Sequence, residues 1–204
     1  MKRIVLASNN AGKLAELQAM FAPLGVALVT QASLNIGEAE EPFHTFVENA
    51  LAKARHAARQ SGLPALADDA GLCVDAFGGL PGVQTAFYAT QFGYSKSDDN
   101  NVRALLEQMA GIDNRRAALV STLVAVRHAD DPEPLIAVGR AAGEITRQPM
   151  GSNGFGFDPV MFIPRFGKTF AELPVDVKNA HSHRGQAAQK MLVLMRENWL
   201  AADA

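Results

Sequence analysis

An α/β fold built on a mixed sheet is what this sequence predicts, and three observations predict it. Short apolar runs near the N-terminus alternate with stretches of helical spacing, as strand–helix–strand units do. Two longer β-rich runs, 117–126 and 135–145, then follow one another across Asp130-Asp131-Pro132-Glu133-Pro134 and read as an antiparallel hairpin. Across 204 residues, 48% are hydrophobic and 20% charged, enough apolar material for one domain, or one domain with a lobe, to bury a core.

Ile4 to Ala7 is apolar and short, as a buried strand is. Behind it, Leu14, Leu17, Met20 and Phe21 recur at helical spacing until Pro23 and Gly25 end the pattern. Residues 26–30 read as a second strand. Gly37-Glu38-Ala39-Glu40-Glu41-Pro42 is acidic, turn-rich and without period, hence a loop. Thr45-Phe46-Val47-Glu48 fits a capping box, hydroxyl and carboxylate closing the first turn on each other. The helix it opens is expected to run to about Gln60 and stop at Ser61-Gly62, with Pro64 beyond. Phe46, Ala50, Leu51, Ala54 and Ala58 form its buried stripe, which leaves Lys53, Arg55 and Arg59 to a solvated face.

Residues 73–77 are expected as a further short strand, and Gly78-Gly79-Leu80-Pro81-Gly82 as a turn cluster. Residues 97–110 read as a capped helix with Val102, Leu105, Leu106 and Met109 inward, 160–163 as a strand and 182–199 as a closing helix.

The formal net charge is −2 with no basic block, which argues against a general nucleic-acid binder, since that needs a positive face for phosphates. One cysteine, Cys73, rules out an intrachain disulfide framework, and its apolar neighbours suggest a buried packing thiol. Met1-Lys2-Arg3 precedes too short an apolar run for a signal peptide. No stretch approaches the ~18 apolar residues that span a bilayer. A cytoplasmic protein with no membrane partner is expected.

Ala65-Leu66-Ala67-Asp68-Asp69-Ala70-Gly71-Leu72 is the most informative stretch. It reads as a buried strand that opens onto a turn at the two acids. Two ionised carboxylates about 4 Å apart repel by roughly 4 kcal/mol at an effective dielectric near 20. A bound cation, a raised pKa or a divergent geometry must relieve the pair. It is either a metal and catalytic site or a strand end with one Asp solvated and one capping the turn.

Three other clusters carry chemistry. Ser8-Asn9-Asn10-Ala11-Gly12-Lys13 lies between the first strand and helix, where helix N–H groups and Lys13 suit phosphate; it lacks the first glycine of a Walker loop and is otherwise an ordinary capped turn. Gly151-Ser152-Asn153-Gly154-Phe155-Gly156-Phe157-Asp158-Pro159 interleaves glycines, which let backbone approach a ligand, with aromatics that either stack on a base or pack inward. Lys178-Asn179-Ala180-His181-Ser182-His183-Arg184-Gly185 offers Lys178, His183 and Arg184 as a cationic edge, and its histidine pair lacks the further ligands of a zinc site. Gly167-Lys168-Thr169 is taken as structural. An acid pair for a metal, two cationic clusters for phosphates and an aromatic–glycine loop for a base are together satisfied by a nucleoside triphosphate with Mg²⁺.

These segments, in this order and nearly end to end, resemble the inosine/xanthosine triphosphate pyrophosphatase family, enzymes that hydrolyse non-standard purine triphosphates. The resemblance rests on Ser8 to Lys13, Thr45-Phe46-Val47-Glu48-Asn49-Ala50, Leu66 to Leu72, Gly154 to Pro159 and Lys178 to Arg184. It implies residues 1–204 as a single catalytic domain of mixed α/β fold, with two lobes around a central substrate cleft, and usually a homodimer. By the same resemblance Asp69 is the catalytic carboxylate and also touches the metal, and Glu40 is the second metal-binding acid. Ser8, Asn9, Asn10, Ala11, Gly12 and Lys13 match the triphosphate cradle. Phe155, Gly156, Phe157 and Asp158 match the base-side loop, and Lys178, His183 and Arg184 the remaining substrate contacts.

Three positions depart from the family. Ala70 stands where a serine usually contacts substrate, so only its backbone N–H is left to serve. Phe157 replaces the usual tyrosine, losing a hydroxyl and keeping a ring. Phe87 replaces an arginine common in bacterial relatives.

The implied reaction uses Mg²⁺, a hard cation held by few carboxylates plus substrate phosphates. Asp69 positions or deprotonates a water that attacks the α-phosphorus, and pyrophosphate leaves with its charge neutralised by Lys13 and the metal. An extended Asp68-Asp69 points its side chains to opposite faces, so one acid leads, Asp69. Donors facing the 6-oxo group, with Arg184 or a backbone N–H as candidates, would reject adenine. Competing readings are a pyrophosphatase for other modified nucleotides and a non-catalytic nucleotide sensor. Residues 79–88 and the long hairpin are the candidate dimer surfaces.

Overall fold

The computed structural model describes residues 3–200; Met1 and Lys2, part of the N-terminal segment read above, and residues 201–204 lie outside it. In chain order the regular elements are β1 (Arg3–Leu6), α1 (Ala11–Phe21), β2 (Ala27–Thr30), α2 (Phe46–Ser61), β3 (Ala65–Val74), α3 (Asp98–Gln108), β4 (Arg116–Val126), β5 (Leu135–Ile145), β6 (Met161–Ile163), β7 (Lys168–Thr169), α4 (Val175–His181) and α5 (His183–Met195). The strands hydrogen bond in the order β2-β1-β3-β4-β5-β6-β7. β1 runs parallel to β2 and β3, whereas β6 is antiparallel to β5 and β7, so the sheet is mixed as expected. β4 and β5 are neighbours joined by a link too short for a parallel crossover, which makes the expected hairpin.

The chain divides into two compact units, one formed by the segment ending at Asp69, Ser121–Gly139 and the segment from Arg184, the other by Ala70–Val120 and Arg140–His183. In the first unit, β1 lies between β2 and β3. Right-handed crossovers then carry α1 and α2 to opposite faces of the sheet. The packing shows it: Leu17 and Phe21 of α1 share a core with Ile4, Leu6, Leu66, Ala188 and Met191, while Ala50, Ala54 and Ala57 of α2 pack on Val5, Ala7, Ala65 and Ala67. The carboxyl end of β1 therefore lies beside Leu66 of β3, two residues ahead of the acid pair, where the winding reverses, the place where open α/β sheets take ligands. The second unit has its own core, in which Val102, Leu105 and Met109 of α3 meet Leu72, Phe157, Val160, Met161 and Phe170.

Local chemistry explains the helix starts. Asn10 accepts from the Lys13 N–H at 3.0 Å, Thr45 from Glu48 N at 3.3 Å and Ser97 from Asn100 N at 3.1 Å, each satisfying a first-turn donor. α2 ends as expected on Gly62, at a left-handed φ of 68°.

Several expectations need correction. β3 does not end at the acid pair: it continues through Gly71 to Val74, so there is no turn at Gly71 and no separate strand over 73–77, where Asp75–Phe77 is a single 3₁₀ turn. The strand persists because both acids find side-chain partners. α1 starts at Ala11, so half of the first phosphate-loop candidate is already helix. Lys178 lies on the separate α4, and Ser182 interrupts the run before α5. The 3₁₀ stretch Gly82–Phe92 and the two-residue β7, which contains Lys168-Thr169, carried no periodic signal. Cys73 is half-buried, and burial holds its thiol above the ordinary value.

Candidate active site

Asp68 and Asp69 sit in mid-strand, and alternation sends their side chains to opposite faces. Divergent geometry, not a shared cation, is what separates the two charges. Asp68 is 1% exposed and faces α1 and α5. Its Oδ1 accepts from Ser121 Oγ of β4 at 2.6 Å, and its Oδ2 lies 3.1 Å from both Lys13 Nζ and Arg184 Nε. Lys13 Nζ also stands 3.5 Å from the Asp68 carbonyl oxygen. Arg184 Nη1 donates to Glu16 Oε2 at 2.6 Å. Two cations thus meet two carboxylates, and the buried charge balances.

Burial opposes ionisation of Asp68, but Lys13, Arg184 and the Ser121 hydroxyl outweigh it and hold the carboxyl far below the usual range. Burial likewise works against Arg184, where Asp68 and Glu16 prevail and keep it charged. For Lys13 burial wins over Asp68, with Arg184 and Lys53 adding repulsion, so its ammonium gives up its proton more readily than a solvated lysine.

Asp69 faces α2. Its Oδ1 accepts from Lys53 Nζ at 2.9 Å, and the same ammonium donates to Glu41 Oε2 at 2.8 Å. Asp69 Oδ2 is buried with no hydrogen-bond partner among the described residues. Burial pushes the Asp69 carboxyl up to about 6, Glu41 adding to the effect and Lys53 opposing it with one charge divided between two acids. Lys53 is therefore not on a solvated face: its side chain is 13% exposed. Arg59 is exposed as expected, 3.8 Å from Asp130, whereas Arg55 is half-buried. The acidic loop is pinned from α2 by buried Asn49, which accepts from Phe43 N at 3.1 Å and donates to Phe43 O at 3.2 Å. Glu40 is exposed, so it is Glu41 that joins the Asp69 ion-pair chain.

An orphaned, buried carboxylate oxygen beside an acidic loop is a donor a hard cation fits. No cluster of three or more acid, histidine or cysteine ligands exists among the described residues.

The raised Asp69 value gives a pH dependence. The folded chain keeps a proton there that the unfolded chain loses in the ordinary carboxylate range, so this group's contribution falls as pH rises through about 6. In chelator, the melting temperature of Asp69→Asn is expected to gain on that of the wild type between pH 5 and pH 7 (conditions on the order of one unit either side of the shifted value). Parallel melting curves across that range would contradict the burial of an ionisable Asp69.

The remaining sites fall as follows. Ser8 Oγ accepts from Asn10 N at 3.2 Å, Asn9 Nδ2 donates to Glu38 Oε1 at 3.1 Å, and Ala11 and Gly12 lie at the surface of the first turn of α1. Ala70, next along β3, is half-buried. In the second unit Asp158 Oδ2 accepts from Lys178 Nζ at 2.6 Å and from Phe155 N at 2.9 Å, and Lys178 Nζ stands 4.9 Å from the centre of the half-buried Phe155 ring. Gly154 is required here: a Cβ would meet the Asp158 carboxylate and Lys178 Nζ, and its φ is 79°.

Phe157 is a correction. It is 3% exposed in the core, because the turn from Gly156 directs its ring inward, so Phe155 alone of the two offers a stacking face. His183 is buried at the start of α5. Arg184, a candidate reader of the 6-oxo group, has its Nε on Asp68 and its Nη1 on Glu16.

Sequence reasoning missed Lys53, Glu41, Glu16, Ser121 and Asn49. One signal was present for two of them: Asn49 and Lys53 are four apart and adjoin Ala50, Ala54 and Ala57, so a wider stripe would have placed both inward.

Sheet winding and buried acids together define an α/β protein whose first helix, central strand and last helix converge on one carboxylate. The chain belongs to the Ham1 family, whose model matches residues 4–194. It is 78% identical over 197 residues to a dITP/XTP pyrophosphatase of Paracidovorax citrulli, covering 97% of this chain and 99% of the relative. It is 79% identical over 198 residues to that of Albidiferax ferrireducens, covering 97% and 100%. Among solved structures, a Ham1 protein from Coxiella burnetii superposes with a TM-score of 0.89 at 43% identity, over 97% of this chain and 100% of the other. The Staphylococcus aureus Ham1 protein superposes at 0.85 and 34% identity, over 96% and 99%.

Proposed function

We propose that this chain is a Mg²⁺-dependent nucleoside triphosphate pyrophosphatase that hydrolyses non-standard purine triphosphates, dITP, XTP and ITP, to the monophosphate and pyrophosphate. The observation that carries the chemistry is Asp69: one oxygen is steadied by Lys53, the other is buried and unpartnered, and the proton affinity is raised toward that of a useful base. The substrate class follows from near full-length identity to the dITP/XTP pyrophosphatases. The matched residues 4–194 include parts of both compact units, which supports one catalytic domain over 1–204.

In this reading Asp69 orients a water and takes its proton as the water oxygen bonds to the α-phosphorus. The bond from that phosphorus to the bridging oxygen breaks, and pyrophosphate leaves with the oxygen. Lys13, close to Asp68 and at the start of α1, supplies positive charge for the phosphates, together with the Ser8–Gly12 segment. Asp69 and exposed Glu40 would hold Mg²⁺, which neutralises phosphate charge when bound, while Glu41 stays with Lys53. Phe155 supplies the stacking face, Asp158 and Lys178 the polar groups beside it, and His183 is assigned to the substrate contacts with them. A homodimer and a cytoplasmic setting belong to the same proposal. Exposed Leu80, Phe87, Ile136 and Val138 support the candidate dimer surfaces, and no helix among the described residues is long and apolar enough to cross a membrane.

The test is a panel of ITP, XTP and dITP against ATP and GTP with Mg²⁺, reading pyrophosphate. The non-standard purines are expected to be preferred by at least about 100-fold in kcat/KM. Equal rates on ATP would overturn the selectivity.

A further inference from the structure

We propose that Asp98 is a positioning residue for the base-side loop: its carboxylate holds the Gly156 amide and so sets the orientation of Phe155. The inference rests on the pyrophosphatase reading of that loop and extends it to a residue outside it. Asp98 Oδ2 accepts from Gly156 N at 2.8 Å. Phe155 stands between Gly154, at φ 79°, and Gly156, at φ 62°. Glycines rotate freely, so an aromatic flanked by two of them has no covalent reason to keep one orientation. The structure supplies a carboxylate on each side instead. Asp158 takes the Phe155 N–H at 2.9 Å, and Asp98 takes the next N–H along the chain.

Both carboxylates stand on rigid supports. Asp158 is buried against Lys178 and follows Phe157, which is rooted in the core. Asp98 opens α3, whose first turn is closed by Ser97 accepting from Asn100 N at 3.1 Å, while Asn100 Nδ2 donates to Ser95 O at 2.9 Å. One residue on, buried Asn101 accepts from Ala89 N at 2.8 Å and donates to Ala86 O at 3.3 Å, tying the helix to the neighbouring 3₁₀ stretch. Val102 and Leu105 bury the next turn. Phe155 is thus presented as a preset face, and a base that stacks on it need not order the loop first. Since the base is remote from the scissile phosphorus, losing the clamp weakens binding of ground state and transition state alike.

Three variants test this with ITP as substrate. Asp98→Ala is expected to raise KM about 3- to 10-fold with kcat within about twofold, the signature of lost uniform binding. Asp98→Asn keeps an acceptor oxygen and is expected to restore most of the wild-type KM. Asp99→Ala removes an acid from the same helical turn, leaves the Asp98–Gly156 hydrogen bond in place and is expected to leave KM unchanged. Amide exchange at Gly156, followed by NMR in the substrate-free protein, is expected to accelerate in Asp98→Ala only. Unchanged KM and exchange in Asp98→Ala would overturn the proposal. So would equal effects of Asp98→Ala and Asp99→Ala, which would assign them to the helix start, or an Asp98→Asn as impaired as Asp98→Ala. If the wild type fails to hydrolyse ITP, the pyrophosphatase reading falls, and Gly156 exchange still decides whether Asp98 holds the loop.

Discussion

Asn in place of Asp69 is expected to lower kcat on ITP about 1000-fold, within the range that a positioned general base contributes, while the nucleotide still binds. The amide preserves the shape of the side chain and leaves Lys53 its contact with Glu41 at 2.8 Å. What it removes is the capacity to take a proton and the anionic oxygen, Oδ2, that has no hydrogen-bond partner among the described residues. The separation of effects is the informative part: pyrophosphate release measures turnover, and equilibrium binding of a non-hydrolysable ITP analogue measures the complex. A kcat within about tenfold of wild type would take Asp69 out of the chemistry.

The second large effect belongs to the neighbouring acid and is of a different kind. Asp68→Asn is expected to act on the fold. Arg184, 2% exposed, would keep Glu16 but lose Asp68, and Lys13 would lose the carboxylate 3.1 Å from its Nζ. Breaking a buried ion pair from one side costs about 3–5 kcal/mol, which in a chain of this size lowers the melting temperature by roughly 10 °C. Thermal unfolding followed by circular dichroism measures it, and a drop below about 3 °C would mean that the buried cations find compensation elsewhere. The sign with pH is opposite to that of Asp69. Asp68 is held below its unfolded value, so its stabilisation is present above the ordinary carboxylate range and is lost only as the pH falls through the depressed value. Two adjacent acids on one strand thus diverge, one holding the structure together and one left reactive, because strand alternation puts them in two different electrostatic settings.

Much of this was legible in the residues themselves. The caps at Thr45 and Ser97, the Gly62 stop and the parallel start followed by a hairpin depend on chemistry within a few positions, and each stands where expected. The opposite faces of Asp68 and Asp69 follow from the period of an extended strand. The end of β3 was less legible, because paired acids and a glycine resemble a strand end unless partners elsewhere satisfy the charges. Lys53 was misplaced for a related reason: at the margin of an alanine stripe, whether a lysine turns inward depends on what lies opposite. Phe157 shows the same limit, since a ring in a glycine-rich loop faces outward or inward according to backbone dihedrals that its neighbours leave open.

The sequence by itself determined the class of fold and the capped starts of α2 and α3, because periodicity, capping and residue type are local properties. Only the tertiary structure decided which cation meets which acid. Lys53 lies 16 residues from Asp69 along the chain, and Arg184 lies 116 from Asp68. Pairings over such distances are set by how α1, α2 and α5 pack on the two faces of the sheet. Burial then sets the balance between desolvation and Coulomb attraction, and with it which carboxylate stays ionised and which holds its proton to about pH 6.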